Sequence, residues 1–272
     1  MQRDDIKVAV LRMEGTNCEY ETARALQTFG VNVEIVHLKQ FYSDMIRFED
    51  QRSIFDYQCL VFPGGFSAGD YVRAGAIFSA RVKSVLRRDL EEFIKMGFPV
   101  LGICNGFQIL AELGALPGFD EDKPISEKPE MALTINDSNR FECRPVLLKL
   151  ESRKCIFTRK LDKEVVMFPV AHAEGKVVFP RGKENEYLNR LLENDQIVFR
   201  YVDKHGKYAG YPWNPNGSFY NIAGMSNVTQ NVFGLMPHPE RSFFGYQVGT
   251  SEPFGDGYYI FESVVNYLEK FY

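Results

Sequence analysis

Histidine and cysteine are scarce in this chain of 272 residues: His37, His172, His205 and His238, with Cys18, Cys59, Cys104, Cys143 and Cys155. The cysteines are odd in number, widely scattered and never spaced C-x-x-C, which excludes a disulfide framework and a zinc site of familiar spacing. No apolar run approaches the roughly 18 residues of a membrane-spanning helix. The opening MQRDDIKVAV has acids where a secretory signal needs a basic start, so a cytoplasmic protein is expected. There is no excess of positive charge: the formal net charge is -4, which gives no general attraction to nucleic acid or anionic lipid. Small molecules and proteins are the expected partners. Neither GxxxxGK[ST] nor GxGxxG spacing occurs, so no nucleotide-phosphate loop is expected.

What is present is an ordinary globular composition, 45% hydrophobic and 25% charged, long enough to bury a sizeable core. The expectation is one domain over residues 1–272 with a loop insertion at about 119–130, where the run PGFDEDKPISEKPE is acidic, proline-rich and short of apolar residues. Residues 7–11 read as a strand, 19–29 as a helix stopping at Gly30, and 31–38 as a second strand. Such a βαβ opening implies an α/β fold with a parallel sheet. Further strands are expected at 57–62 and 100–103, separated by one long helix over 74–96. Beyond the loop, two-periodic segments at 143–150, 164–170, 176–179, 196–202 and 219–225 predict antiparallel additions, with a short helix near 186–193. A strand at 231–236 and a helix over 258–271 close the chain.

The stretch PVLGICNGFQIL, residues 99–110, carries the sharpest chemical signal. An apolar strand runs into a turn that holds Cys104 between Gly102 and Gly106, and helical spacing follows at once. In a G-x-nucleophile-x-G elbow the chain reverses too tightly for a Cβ two residues away, and the nucleophile stands above the sheet. A helix starting at Asn105 would aim its positive end at the thiol. The other reading of Cys104 is a small buried hydrophobe.

Its best partners are His238 and Glu240 in Pro-His-Pro-Glu. In an extended segment residues i and i+2 project to one side, so Glu240 can take the Nδ1–H of His238 and leave Nε2 as a base. The loop PGGFSAGD, residues 63–70, follows a strand expected beside that of Cys104; Gly64 and Gly65 allow close backbone approach, and the Gly65 and Asn105 N–H groups suit an oxyanion hole. His172, at a strand end, reads as a substrate contact, a competing base or a structural residue. His37, His205 and the other four cysteines read as structural or inert.

With these residues in hand, the chain resembles the class I, triad-type glutamine amidotransferases. The ordered segments MEGTNCE, PGGFSAGDY, GICNGFQIL, NRFECR, AHAEG, NPNGSFYNIAGM and GLMPHPER, between residues 8 and 241, are similar to those of the glutaminase subunits of phosphoribosylformylglycinamidine synthase. Two departures stand out: Ala173 interrupts the usual His-Gly-Glu-Gly at residues 172–175, and Met13-Glu14 replaces Phe-Pro. The resemblance implies a flavodoxin-like fold and a Cys104–His238–Glu240 triad that hydrolyses L-glutamine through a thioester. Gly65 and Asn105 would form the oxyanion hole, and Gly64, Gln108 and His172 would line the glutamine pocket. It further implies ammonia delivery to a large synthetase subunit that uses ATP and Mg²⁺, joined in many organisms by a small third subunit, with no cofactor on this chain. The loop at 119–130 would contact the partner or partly cover the site. A glutaminase serving another synthetase, a γ-glutamyl hydrolase and a non-catalytic assembly subunit are the competing readings.

Overall fold

A computed structural model of the chain describes residues 1–42 and 46–271. Its frame is a nine-stranded mixed sheet built from β1 (Lys7–Arg12), β2 (Asn32–His37), β3 (Cys59–Phe62), β4 (Val100–Ile103), β6 (Glu142–Leu150), β7 (Val165–His172), β9 (Ile197–Val202), β10 (Ile222–Ser226) and β11 (Val232–Leu235). The order is β2-β1-β3-β4-β11-β10-β9-β6-β7. The first five are parallel to one another, in the order of a flavodoxin-like sheet, and the remaining neighbours pair antiparallel. The parallel strands β3 and β4 are buried at every position, as strands covered on both faces must be. Edge strand β7 instead alternates half-buried and buried residues.

Helices cover the sheet: α1 (Glu19–Gln27), α2 (Ala76–Val85), α3 (Arg87–Lys95), α4 (Asn105–Leu113), α5 (Glu184–Glu193) and α6 (Tyr258–Phe271). The helix expected over residues 74–96 is two helices, because Leu86 leaves helical geometry at φ -123°, ψ 0° and turns the chain between α2 and α3. The strand expected at 176–179 is β8 (Glu174–Val178), but it does not add to the main sheet: it pairs antiparallel with β5 (Ala132–Ile135), a strand the sequence pattern did not show. The strand expected at 219–225 begins later: residues 219–221 are a 3-10 turn and β10 starts at Ile222.

The acidic loop is not wholly exposed. Its tip, residues 120–123, faces solvent, yet Pro124 and Ile125 are buried, and Ser126 hydrogen-bonds Gly114 at the end of α4. Phe119 packs on Tyr187 and lies under the Arg190 guanidinium of α5 at 3.9 Å. One apolar residue and two ring contacts are enough to pin a segment whose composition reads as solvated. No helix among the described residues is long and apolar enough to cross a membrane.

Candidate functional site

The carboxyl ends of β1, β3, β4 and β11 gather the chemistry, where an open α/β sheet places its ligand crevice. Cys104 follows β4 and has φ 51°, ψ -105°, a conformation that side chains rarely adopt and that the elbow imposes. Two glycines make this possible. A Cβ on Gly102 would lie 2.6 Å from the Gly106 carbonyl oxygen, and one on Gly106 would lie 1.9 Å from the Phe62 carbonyl oxygen. The helix α4 therefore starts at Asn105 pressed against β3, with its N-terminal dipole behind the thiol. The sheet coils so far that its distant edge returns here: the Cys104 thiol donates to the Ala171 carbonyl oxygen of β7 at 3.6 Å.

His238 and Glu240 follow β11. The side chains are 2% and 0% exposed, and His238 Nδ1 lies 2.6 Å from Glu240 Oε1. His238 is extended, φ -103°, ψ 95°, but Pro239–Ser242 form a 3-10 turn. The carboxylate thus reaches the ring by turning back, not by the extended alternation expected. Phe243, fully buried, fixes this turn through ring contacts with Phe29, just after α1, at 5.9 Å and with Phe261 of α6 at 5.7 Å. His238 Nε2 is buried without a hydrogen bond. Burial by itself would lower the His238 pKa, but Glu240 and Cys104 outweigh it and raise the ring to about 10.

Gly64 sits between nucleophile and base. A Cβ there would be 2.8 Å from His238 Cε1 and 3.5 Å from Cys104 Cβ, so a side chain would push the pair apart. Gly65 has φ 138° and bridges Thr16, and a Cβ on it would strike Asn17. Asn105 locks the two loops together: its Oδ1 accepts from Ser67 Oγ at 2.6 Å, and its Nδ2 donates to Gln108 Oε1 at 2.9 Å and Asp70 Oδ1 at 3.4 Å. Gln108 is engaged at both ends, since its Nε2 also donates to the Glu174 carbonyl oxygen. It ties α4 to the start of β8 in this structure. Asp70, half-buried beside Glu174, has its pKa raised to about 6 by burial and by that carboxylate.

His172 is brought to the same centre in a different electrostatic state. Asn136 Oδ1 accepts from Gly175 N–H at 3.0 Å and faces His172 Nδ1 at 3.1 Å. An acceptor on that side makes Nδ1 the donor and leaves the buried, unpartnered Nε2 as a lone pair. Burial and the neighbouring His238 lower the His172 pKa to about 4. It is therefore neutral near pH 7 and a weak base, whereas His238 has the carboxylate a working imidazole needs. His37 caps a 3-10 turn through Nδ1, a structural role, and Cys59 and Cys155 are buried far from this cluster of contacts.

Cys18, read from the sequence as inert, lies beside this cluster, and burial pushes its thiol pKa up. It precedes α1 at the end of the β1 turn, 2% exposed, and offers its sulfur within 4.8 Å of ligand atoms of His238 and Glu240. This is the one metal-capable group of three found among the described residues, but Arg241 Nη2 donates to Cys18 Sγ at 3.0 Å and sets a positive charge where a cation would bind. The signal that could have located Cys18 is topological: it lies at the same sheet edge as Cys104 and His238.

Residues 5–268 match the CobB/CobQ-like glutamine amidotransferase domain, and the chain belongs to that family. It is 79% identical over 270 residues, covering 99% of this chain and 100% of the relative, to the phosphoribosylformylglycinamidine synthase subunit PurQ of Archaeoglobus fulgidus. With PurQ of Picrophilus torridus it shares 47% identity over 249 residues, 92% of each chain. The solved structure of PurLQS from Thermotoga maritima superposes with a TM-score of 0.71 at 32% identity, covering 97% of this chain and 99% of that one. Within the glutamine amidotransferases the chain thus falls among the PurQ subunits of phosphoribosylformylglycinamidine synthase.

Proposed function

We propose that this chain hydrolyses L-glutamine to glutamate and ammonia at Cys104 and hands the ammonia to the synthetase subunit of phosphoribosylformylglycinamidine synthase, in the cytoplasmic branch of purine biosynthesis. The observation that carries the reading is the buried His238–Glu240 pair set against a thiol on a strained elbow. Cys104 gives its proton to His238 Nε2, and the thiolate attacks the side-chain amide carbon of glutamine. The oxyanion that forms faces the backbone N–H groups of Gly65 and Asn105. His238 returns the proton to the departing ammonia, which leaves a γ-glutamyl thioester. The same ring then takes a proton from water, the hydroxide displaces the thiolate, and glutamate departs as the thiol is restored. Glu240 keeps the ring oriented throughout and stabilises its cationic form.

On this reading Gly64 and His172 wall the amide end of the pocket, with Gln108 bracing Glu174, and ATP and Mg²⁺ act on the synthetase. The PurLQS assembly of the Thermotoga maritima relative supports a large synthetase partner and a small third subunit. Acid-quenching the chain during turnover and mapping peptides by mass spectrometry tests the chemistry. A glutamyl adduct on Cys104, absent from Cys104→Ala, is expected. An adduct on Cys18, or none under conditions of rapid glutamate release, would overturn the assignment.

A further inference from the structure

Glu240 is buried with its Oε1 on His238 and its Oε2 without a partner. A carboxylate desolvated in this way needs positive potential nearby. The titratable groups facing the His238–Glu240 pair are Cys18 and Glu21 from the start of α1, Cys104 before α4, His172 at the end of β7, and Arg241 from the same turn. With His172 held neutral, Arg241 is the only fixed cation in that set. Its guanidinium is itself held at two points, donating from Nε to Glu21 Oε1 at 2.8 Å and from Nη2 to Cys18 Sγ at 3.0 Å. Cys18 is at the same time tied to the oxyanion loop, its backbone N–H donating to the Gly64 carbonyl oxygen at 3.3 Å.

We propose that Cys18 is a positioning residue for the glutaminase reaction: its sulfur anchors Arg241 so that the guanidinium compensates the buried Glu240 carboxylate, and its backbone fixes Gly64 in register with that anchor. Burial pushes the Cys18 thiol well up, so the anchor is uncharged and adds no second anion to half-exposed Glu21 against the Arg241 charge that acts on Glu240. A carboxylate at this position would cancel that charge. A serine oxygen, on a shorter bond and with a smaller radius, would reach less far toward the guanidinium. The inference rests on the Cys104–His238–Glu240 reading.

The test measures the rate of Cys104 alkylation by iodoacetamide against pH in the full chain, located by peptide mapping, for wild type, Cys18→Ala, Cys18→Ser and Arg241→Gln. With Arg241 unanchored or removed, positive potential that favours the anionic groups of the centre is lost and thiolate formation at Cys104 is harder. The midpoint is expected to move up by about 0.5–1 pH unit in Cys18→Ala and Arg241→Gln, with Cys18→Ser between. In the same variants kcat for glutamine is expected to fall about tenfold while KM stays within about twofold. An unchanged midpoint in folded Cys18 variants overturns the proposal, whether kcat falls or not, because a merely space-filling residue would not move the titration. If Cys18→Ala does not fold, Cys18→Ser and Arg241→Gln decide by the same criterion. A wild-type chain that forms no glutamyl adduct on Cys104 under rapid glutamate release would instead remove the triad reading, and this inference with it.

Discussion

Two buried histidines near one thiol differ in a single partner, and that partner sets their chemistry. Burial lowers both; Glu240 reverses the effect for His238, whereas the neutral Asn136 leaves His172 at about 4. The consequence for stability has a definite sign. A histidine whose folded pKa lies below its unfolded value near 6.5 costs stability as pH falls from about 6.5 toward 4, because the unfolded chain takes up the proton first. His172 contributes on the order of 2–3 kcal/mol to this loss, so thermal melts of His172→Gln are expected to show a flatter pH dependence in that window than wild type. His238 acts in the opposite sense between about 6.5 and 10, where its contribution fades as pH rises, and does not confound the comparison. At Gly64 the argument is steric: Gly64→Ala places a methyl 2.8 Å from His238 Cε1. Glutamate release should fall about 100-fold, the usual cost of misplacing a reacting group by about an ångström, with a melting temperature near that of wild type. The elbow at Cys104 and the nearness of Glu240 to His238 were legible in the sequence because each is local, a G-x-C-x-G turn or a separation of two, although that separation closes through a 3-10 turn and not an extended segment. Cys18 was not, because it meets Arg241 only through space, across a separation of 223 residues. The two-ended pairing of Gln108 was hidden for the same reason.

At the scale of elements, apolar runs bounded by glycine and proline located the parallel strands well, since strands buried on both faces admit little else. Three features escaped that logic. Periodicity carried straight through Leu86, where only backbone geometry separates α2 from α3. Of the β5–β8 pair only β8 showed a strand period; four-residue β5 was too short and too mixed in burial to show one. The acidic loop hid its anchor, Ile125, inside a polar composition. In the site α4 lies close against β3, which depends on Gly106 having no side chain. Gly106→Ala sets a Cβ 1.9 Å from a backbone oxygen that cannot rotate away, so it should cost about 3 kcal/mol, read as a lower midpoint in denaturant unfolding. Gly30→Ala, where nothing lies within 4 Å, is the control: it should lose only the smaller penalty of its positive φ.

Across the whole molecule, the coiled mixed sheet explains why one chain can hold a complete centre. Parallel strands supply Cys104 and His238, and the antiparallel half curls round until the end of β7 meets the thiol and its histidine closes the far wall. On the function proposed above, the chain is a source of ammonia and a partner uses it. The most direct measurement compares wild type and Cys104→Ala, each mixed with the synthetase subunit, ATP, Mg²⁺ and formylglycinamide ribonucleotide. With glutamine as nitrogen source, wild type should release glutamate and form the amidine in equal amounts, and Cys104→Ala should do neither; with added ammonia both should form the amidine. Glutamate release by Cys104→Ala equal to that of wild type would contradict the account.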